Sequence, residues 1–305
     1  MPMRPFTCLG DCEVTFQSQN LGELRDCNDL LGNSSALRSQ MEEDGYLLIR
    51  GLINRDTVIK ARRTILTYAD ENGEVPFKSD TDLIDGVYNP DGRPSRTMGE
   101  KAVTHHPDVL GVLEGKELFN FFQGLFDQPA RTFDYKWLRM MPPGRAAGPH
   151  FDVVYMGRGS QRLHTCWIPF GDVPVEKGTL AILVGSHNLP SFDKIRQTYG
   201  QTDVDQDHTP GHFGADPLAI SEQFGGAWKT ADFEAGDVII FTMYTLHTST
   251  RNMSDQWRVS CDIRFQPETD SVDNRWVGEN PLAHSIQDQS KKPVTFDEAR
   301  KIWGV

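Results

Sequence analysis

His150 and Asp152 are the residues whose types and spacing could most readily do chemistry. They lie two positions apart in the segment PPGRAAGPHFDVVY. On an extended strand, residues i and i+2 project from the same face, so an imidazole and a carboxylate can converge on one point. A histidine two residues before an aspartate also arises often by chance. The pair therefore gains weight only from a second segment, DVIIFTMYTLHTSTRNMSDQWRVSCDIRF, in which an apolar strand leads to His247.

The strand after His247 alternates between polar and apolar residues. One face would carry Arg258, Ser260, Asp262 and Arg264, and the other Val259, Cys261, Ile263 and Phe265. The apolar face is expected to pack against the core. The polar face has two interpretations: it meets solvent, as in many antiparallel sheets, or it lines a barrel cavity. In a cavity, a guanidinium about eleven residues after a metal histidine could hold a dicarboxylate through a bidentate pair.

The elements that would position these residues are short strands separated by glycine and proline. The predicted strands are Thr132 to Met141, Gln161 to Phe170, Leu180 to Val184, Asp237 to Thr242 and Trp257 to Phe265. This pattern favours a sandwich or a barrel. Upstream, the pattern predicts a helix from about Ser35, a strand at Tyr46 to Ile49, a helix opening near Asn54 or Asp56, and a helix over Val109 to Phe126.

The chain is predicted to form one main domain. Residues 1–35 read as an irregular N-terminal segment, and residues 36–305 as a single domain. Within it, 188–235 is polar and glycine-containing and longer than an ordinary connection. The two interpretations of this stretch are a lid or substrate insertion and a partly disordered surface insertion.

Composition disfavours two classes of partner. The formal net charge is −12 and the sequence pI is near 5.2, which disfavours binding nucleic acid or an anionic membrane through a general field. The longest apolar stretches are far below the roughly 18 residues needed to span a bilayer. Five irregularly spaced cysteines and no secretory signal indicate a cytoplasmic protein. A monomer or homodimer is expected only as a general prior.

Three segments together carry a family resemblance. They are HFD at 150–152, WIPFGDVPVEKGTLAILVGSH at 167–187, and H-T-S-x-x-N-x-S-x-x-x-R from His247 to Arg258. In this order they resemble the phytanoyl-CoA dioxygenase family of iron(II)- and 2-oxoglutarate-dependent oxygenases, from about Met41 to Phe265. The resemblance implies a mainly β fold with flanking helices and a double-stranded β-helix core, a jelly roll of the cupin kind.

The resemblance also implies roles for individual residues. His150, Asp152 and His247 become the catalytic, metal-binding triad, a ligand set suited to iron(II) with three positions left for 2-oxoglutarate and O2. The implied cosubstrate-binding residues are Arg258, Ser249, Trp167, Thr165 and Trp137. Of these, Arg258 matches the arginine that pairs with the far carboxylate of 2-oxoglutarate. Trp137 is a weaker match, and Thr165 enters because it shares a strand face with Trp167.

The implied function is hydroxylation of an unactivated C–H bond of a small-molecule metabolite, with 2-oxoglutarate converted to succinate and CO2. Related halogenases replace the carboxylate ligand by a small residue, so Asp152 favours hydroxylation or desaturation over halogenation. The alternative function is a metal-binding jelly-roll protein, an isomerase, hydrolase or noncatalytic binder, that does not use 2-oxoglutarate. Arg258 separates the two, because only the first needs a dicarboxylate clamp.

The substrate is not specified by this pattern, since fold-level analogy does not settle it. Three arginines are the candidates for a local site that binds an anionic substrate group: Arg96, Arg162 and Arg264. His208 and His212, in the long insertion, lack partners at ligand spacing and are predicted to be ordinary residues.

Overall fold

A computed structural model describes residues 6–73, 77, 80–94, 96–213, 216–285 and 292–304 of the chain. The strands in these residues are β1 (Phe6–Leu9), β2 (Cys12–Thr15), β3 (Gly22–Glu23), β4 (Tyr46–Ile49), β5 (Ala130–Thr132), β6 (Trp137–Met141), β7 (His164–Pro169), β8 (Leu180–Val184), β9 (Ala227–Thr230), β10 (Val238–Thr242), β11 (His247–Ser249) and β12 (Arg258–Pro267). The α-helices are α1 (Ser34–Asp44), α2 (Arg55–Glu71), α3 (Lys101–Thr104), α4 (Pro107–Leu113), α5 (Lys116–Phe126), α6 (Val153–Met156), α7 (Asp193–Gln197), α8 (Val204–Asp207), α9 (Pro217–Phe224) and α10 (Phe296–Trp303).

Two sheets form the jelly-roll core. The larger has the order β4-β10-β7-β12-β5, with β6 also paired to β12, and its strand pairs are antiparallel. The smaller has the order β11-β8-β9-β3. Apolar side chains of both sheets meet between them, among them Trp167, Ile182, Ile239 and Phe241. The fold is therefore mainly β with flanking helices, as expected.

Helices cover the outer face of the larger sheet. The side chains of Val259, Cys261, Ile263 and Phe265 on β12 point to this face and pack with apolar residues of α1, α2, α4 and α5. Helix α2 begins after Asn54, whose side chain accepts a hydrogen bond from the Thr57 amide, which is the usual stabilisation of a helix start. The alternation predicted for β12 therefore holds, and its polar face is turned inward: all ten residues of the strand are buried.

Three local predictions are wrong. The N-terminal segment is not irregular, because β1 and β2 form a hairpin and β3 joins the smaller sheet. The strand predicted over Thr132 to Met141 is not continuous: β5 ends at Thr132 and β6 begins at Trp137, and the two pair with different parts of β12. The predicted helix over Val109 to Phe126 is two helices, α4 and α5, since Gly115 interrupts it as the extended residue before α5.

The stretch 188–235 is ordered in its described part. It contains short helices, including α7, α8 and α9, and then β9, which belongs to the smaller sheet. The insertion between strands β8 and β9 is thus shorter than predicted. Tyr199 in this insertion is fully buried, donates a hydrogen bond to the Gly211 carbonyl, and packs edge-on against Trp303 of α10. Within the described residues, no helix has the length and apolar character required to cross a membrane.

Candidate active site

The structure brings His150, Asp152 and His247 together at one end of the barrel. One potential ligand atom from each lies within 4.8 Å of the others. The Nε2 atoms of His150 and His247 are 3.7 and 3.9 Å from Asp152 Oδ1. Both Nδ1 atoms are within hydrogen-bond distance of backbone carbonyls, those of Gly148 and Thr245, at 2.8 and 3.0 Å. These hydrogen bonds leave both Nε2 atoms facing the same carboxylate oxygen.

The convergence of His150 and Asp152 has a different origin from the one expected. His150 has an extended backbone and pairs in an antiparallel bridge with His247, the first residue of β11. Asp152 is not on an extended strand: it has helical backbone angles and immediately precedes α6. The carboxylate reaches the imidazole because the chain turns there. The two-residue spacing thus correctly indicates that the two side chains converge, but a turn rather than the expected extended strand brings them together.

Two side chains hold the second oxygen of Asp152. Thr165 Oγ1 of β7 donates a hydrogen bond to Oδ2, and Arg264 Nη2 of β12 lies 3.1 Å from the same atom. Burial disfavours the ionised carboxyl, but Arg264 and the two imidazoles hold the pKa of Asp152 below its usual range. Burial, and then repulsion by His247, lowers the pKa of His150 to about 3. Both groups are thus deprotonated at neutral pH, as metal ligation requires.

Replacing Thr165 by valine is expected to weaken iron(II) binding by about 10-fold, because partners that orient metal ligands are typically worth 10- to 100-fold in affinity. Valine keeps the shape of threonine and removes only the donor to Asp152 Oδ2. Anaerobic titration of the apo-protein with iron(II) would measure the change. Thr230→Val is the matched control, since the Thr230 hydroxyl is also buried but donates to the Leu180 carbonyl in the smaller sheet. Equal iron affinity in both variants would contradict this role of Thr165.

Arg258 is a buried guanidinium inside the barrel. Its residue is only 2% exposed, Nη1 donates to Ser260 Oγ, and Nε has no hydrogen-bond partner in the described structure. Its guanidinium carbon lies 5.8 Å from the centre of the Trp167 ring, within cation–π range. Burial lowers the pKa of Arg258 to about 10, which leaves the group charged at neutral pH. No carboxylate among the described residues forms an ion pair with it.

These residues fit iron and 2-oxoglutarate. Asp152 Oδ1 is turned to the two Nε2 atoms while Oδ2 is held by the protein, which is the arrangement of a monodentate metal ligand. Two imidazoles and one carboxylate suit iron(II) with open positions. The incompletely bonded cation at Arg258 suits a carboxylate, because a buried charge is costly until it is paired. The donor set thus meets the requirements of both groups.

The other residues predicted to bind the cosubstrate are Ser249, Trp167 and Trp137, and each has different surroundings. Ser249 Oγ accepts a hydrogen bond from the Ala147 amide and so ties β11 to the loop before His150. Trp167 is buried in the core between the sheets. Trp137 lines the cavity next to the triad, and its ring is 4.3 Å from the Arg264 guanidinium carbon.

A cavity of about 310 Å³ opens onto His150 and Asp152 of the triad. Its described lining comprises Arg96, Met98, Tyr135, Trp137, Arg139, Gly148, His150, Asp152, Tyr155, Met156, His212, Arg264 and His284. Of the three arginines expected to bind substrate, Arg96 and Arg264 are in this lining. The expectation for Arg162 needs correction: its guanidinium is half-exposed, is bonded to Asp270, and is not among the described lining residues. Arg264 also departs from the expectation, because it bonds to Asp152, one of the three candidate metal ligands.

Sequence reasoning missed several residues of this cavity. Arg139 donates to Asp262 Oδ2 at 2.6 Å, Tyr155 packs edge-on against His150 with ring centres 5.7 Å apart, and His284 packs edge-on against Tyr155. His212, predicted to be ordinary, also lines the cavity. Alternation on β6 and the position of Tyr155 shortly after Asp152 were usable signals for two of them. His212 lies in a bend and His284 in a short 3₁₀ turn, Ala283–Ser285, and neither belongs to a periodic pattern.

Comparison with known proteins agrees with this site. Residues 41–260 match the phytanoyl-CoA dioxygenase family. The 1-deoxypentalenic acid 11-beta-hydroxylase of Streptomyces arenae is 24% identical over 292 residues, covering 90% of this chain and 95% of that protein. The hydroxylase of the same name from Streptomyces exfoliatus is 25% identical over 287 residues, with the same coverage of each chain.

Known structures share the fold. The alpha ketoglutarate dependent carbocyclase SnoK from nogalamycin biosynthesis superposes with a TM-score of 0.58 at 17% identity, over 89% of this chain and 97% of that one. The epimerase SnoN, in complex with Fe3+, alpha ketoglutarate and nogalamycin RO, gives 0.55 at 17% identity, over 87% and 96%. The family match spans most of the chain and contains all three candidate metal ligands. The chain therefore belongs to the phytanoyl-CoA dioxygenase family of iron- and 2-oxoglutarate-dependent oxygenases.

Proposed function

We propose that this oxygenase hydroxylates an unactivated C–H bond of a small-molecule metabolite, with iron(II) held by His150, Asp152 and His247. The observation that carries the proposal is the convergence of these ligands beside a buried arginine whose charge no described carboxylate pairs. Arg258 would bind the far carboxylate of 2-oxoglutarate. When bound, iron and 2-oxoglutarate supply the oxidation, in which 2-oxoglutarate and O2 yield succinate, CO2 and the oxygen inserted into the substrate.

The chain's own residues position and shield this chemistry. Thr165 and Arg264 fix the orientation of Asp152, and backbone carbonyls fix both imidazoles. The cavity wall from Trp137 and Tyr155 is aromatic and would exclude water from the reacting carbon. Hydroxylation rather than halogenation is favoured because the carboxylate ligand is retained at position 152.

The class of substrate is supported by the relatives and by the cavity. The two curated relatives are named as hydroxylases of 1-deoxypentalenic acid, a small molecule. A cavity of about 310 Å³ is of the size that holds such molecules. Arg96 remains a candidate for contact with the substrate. The absence of nucleic-acid partners, a cytoplasmic location, the monomer or homodimer state, and a lid role for the insertion remain predictions from the sequence.

The direct test is turnover under 18O2 with iron(II), 2-oxoglutarate and a collection of small metabolites. We expect one product that is heavier than its substrate by one 18O atom, formed together with an equal amount of succinate. The label distinguishes hydroxylation from oxidations that insert no oxygen. An unlabelled product formed with equimolar succinate would contradict hydroxylation while leaving 2-oxoglutarate use intact.

A further inference from the structure

The cavity is completed by a segment that follows the family match. That match ends at residue 260, whereas His284 lies beyond it and lines the cavity beside the metal ligands. The segment that carries His284 is anchored, because the Ala283 amide donates a 2.9 Å hydrogen bond to the Arg275 carbonyl. His284 is therefore held in place by this chain's own C-terminal residues.

A buried carboxylate orients the His284 ring. Nδ1 is 3.0 and 3.2 Å from the two oxygens of Asp205, a residue of the insertion that is only 2% exposed. Asp205 is fixed in turn by Arg275, which also makes hydrogen bonds to both oxygens of Asp273. A carboxylate on one ring nitrogen of a neutral histidine places the proton there and leaves the other nitrogen as an acceptor. Nε2 of His284 is then the acceptor available to the cavity.

The position of the ring relative to the metal site is set by aromatic packing. His284 packs edge-on against Trp276 and Tyr155, with ring centres 5.0 and 5.9 Å apart. Tyr155 packs edge-on against His150. One aromatic ring thus separates His284 from His150, and all three residues line the same cavity.

The surroundings of Nε2 indicate what it would bind. The cavity wall includes the largely apolar side chains of Met98, Tyr135, Trp137 and Met156, together with three arginines. The His284 side chain is 42% exposed, so a ligand that displaces solvent from Nε2 leaves this acceptor unpaired unless the ligand carries a hydrogen-bond donor.

We propose that His284, oriented by Asp205, determines substrate specificity by accepting a hydrogen bond at Nε2 from a hydroxyl group of a largely apolar prime substrate. This inference rests on the proposed function. Asp205 is a positioning residue, and His284 is the residue that touches the substrate.

The test compares two probes that differ in one donor: cyclohexanol and cyclohexyl methyl ether. Their dissociation constants are measured by ligand-observed NMR on the anaerobic protein loaded with iron(II) and 2-oxoglutarate. A net hydrogen bond of about 0.5 to 1.5 kcal/mol corresponds to roughly 2- to 10-fold tighter binding of the alcohol. In His284→Phe this preference should fall to about 1, while the affinity for the ether stays unchanged.

Two further variants make the test decisive. His212→Phe removes another imidazole of the same wall and should retain the preference for the alcohol. His284→Leu, which also removes the acceptor but has a smaller side chain, covers the case in which the phenylalanine variant does not fold. The visible band of the iron(II)–2-oxoglutarate complex should persist in every variant.

An unchanged preference for the alcohol in both His284 variants would overturn the inference, as would its loss in His212→Phe alone. Loss of the visible band in folded His284 variants would also overturn it, because His284 would then belong to the cofactor site. Failure of the proposed function is distinguishable, since the wild-type protein itself would then show no such band.

Discussion

His247→Ala is expected to abolish iron retention and turnover while leaving the fold intact. Metal affinity should fall by more than about 100-fold, because loss of a direct ligand exceeds the 10- to 100-fold effect of losing an orienting partner. The substitution also removes the Nδ1 hydrogen bond to the Thr245 carbonyl, which contributes about 0.5 to 1.5 kcal/mol net to the stability of the fold. Iron content after anaerobic loading and desalting measures the first effect, and thermal unfolding of the apo-protein the second.

His164→Ala is the matched control for this prediction. His164 lies on β7, and its Nδ1 is likewise 2.9 Å from the carbonyl of the residue two positions earlier, Arg162. It packs against Phe126 on the helical side of the sheet and is not part of the metal cluster. The control should bind iron as the wild type does. Iron retention in His247→Ala equal to that of His164→Ala would refute the assignment of the triad.

Arg258→Met is expected to raise the 2-oxoglutarate concentration required for half-maximal binding by at least about 100-fold. A hydrogen bond to a charged group is worth about 1.5 to 3 kcal/mol, and a bidentate pair contributes two. Each 1.4 kcal/mol is a factor of ten in affinity. Iron(II) affinity should stay unchanged, because Arg258 does not contact the triad. The 2-oxoglutarate affinity of Arg258→Lys should fall between that of the wild type and that of Arg258→Met, since lysine keeps the charge without the planar fork.

Arg258→Met is also expected to leave the apo-protein at least as stable as the wild type, whereas most substitutions of buried residues destabilise a protein. Arg258 is a buried charge that no described carboxylate pairs, and burial lowers its pKa to about 10, so desolvation disfavours the charged form in the folded protein. Methionine at this position removes that penalty. The apo variant should therefore unfold at a temperature no lower than the wild type.

The ligand dependence of unfolding completes this test. In the presence of iron(II), added 2-oxoglutarate should raise the unfolding temperature of the wild type and leave that of Arg258→Met nearly unchanged, because a ligand stabilises only a state that binds it. Equal 2-oxoglutarate affinity in both proteins would show that Arg258 has a structural role only.

Local sequence patterns predict the strands that are buried on both faces and the apolar face of an alternating strand. The strands at Tyr46–Ile49 and Leu180–Val184 have the predicted bounds, because continuous apolar runs are buried on both faces. Alternation along β12 correctly assigned its apolar face. It left the destination of the polar face open, because the pattern is the same whether that face meets solvent or a barrel interior.

Interactions between distant segments account for what the sequence did not reveal. The sequence relates Thr165 to Trp167 through a shared strand face, whereas the Thr165 hydroxyl donates to Asp152, thirteen residues earlier. His284 is held by Asp205 of α8, 79 positions away, and neither residue belongs to a periodic pattern. Arg162 looked equivalent to Arg264 as a cavity arginine until the fold placed Asp270 beside it.

The measurement that most directly tests the use of 2-oxoglutarate is anaerobic titration of the apo-protein with iron(II) and then with 2-oxoglutarate. A keto acid bound to iron(II) through two atoms gives a visible metal-to-ligand charge-transfer band. We expect this band to appear and to saturate at one 2-oxoglutarate per iron. Bound iron with no such band at saturating 2-oxoglutarate would contradict the proposed function and favour a metal-binding jelly-roll protein that does not use this cosubstrate.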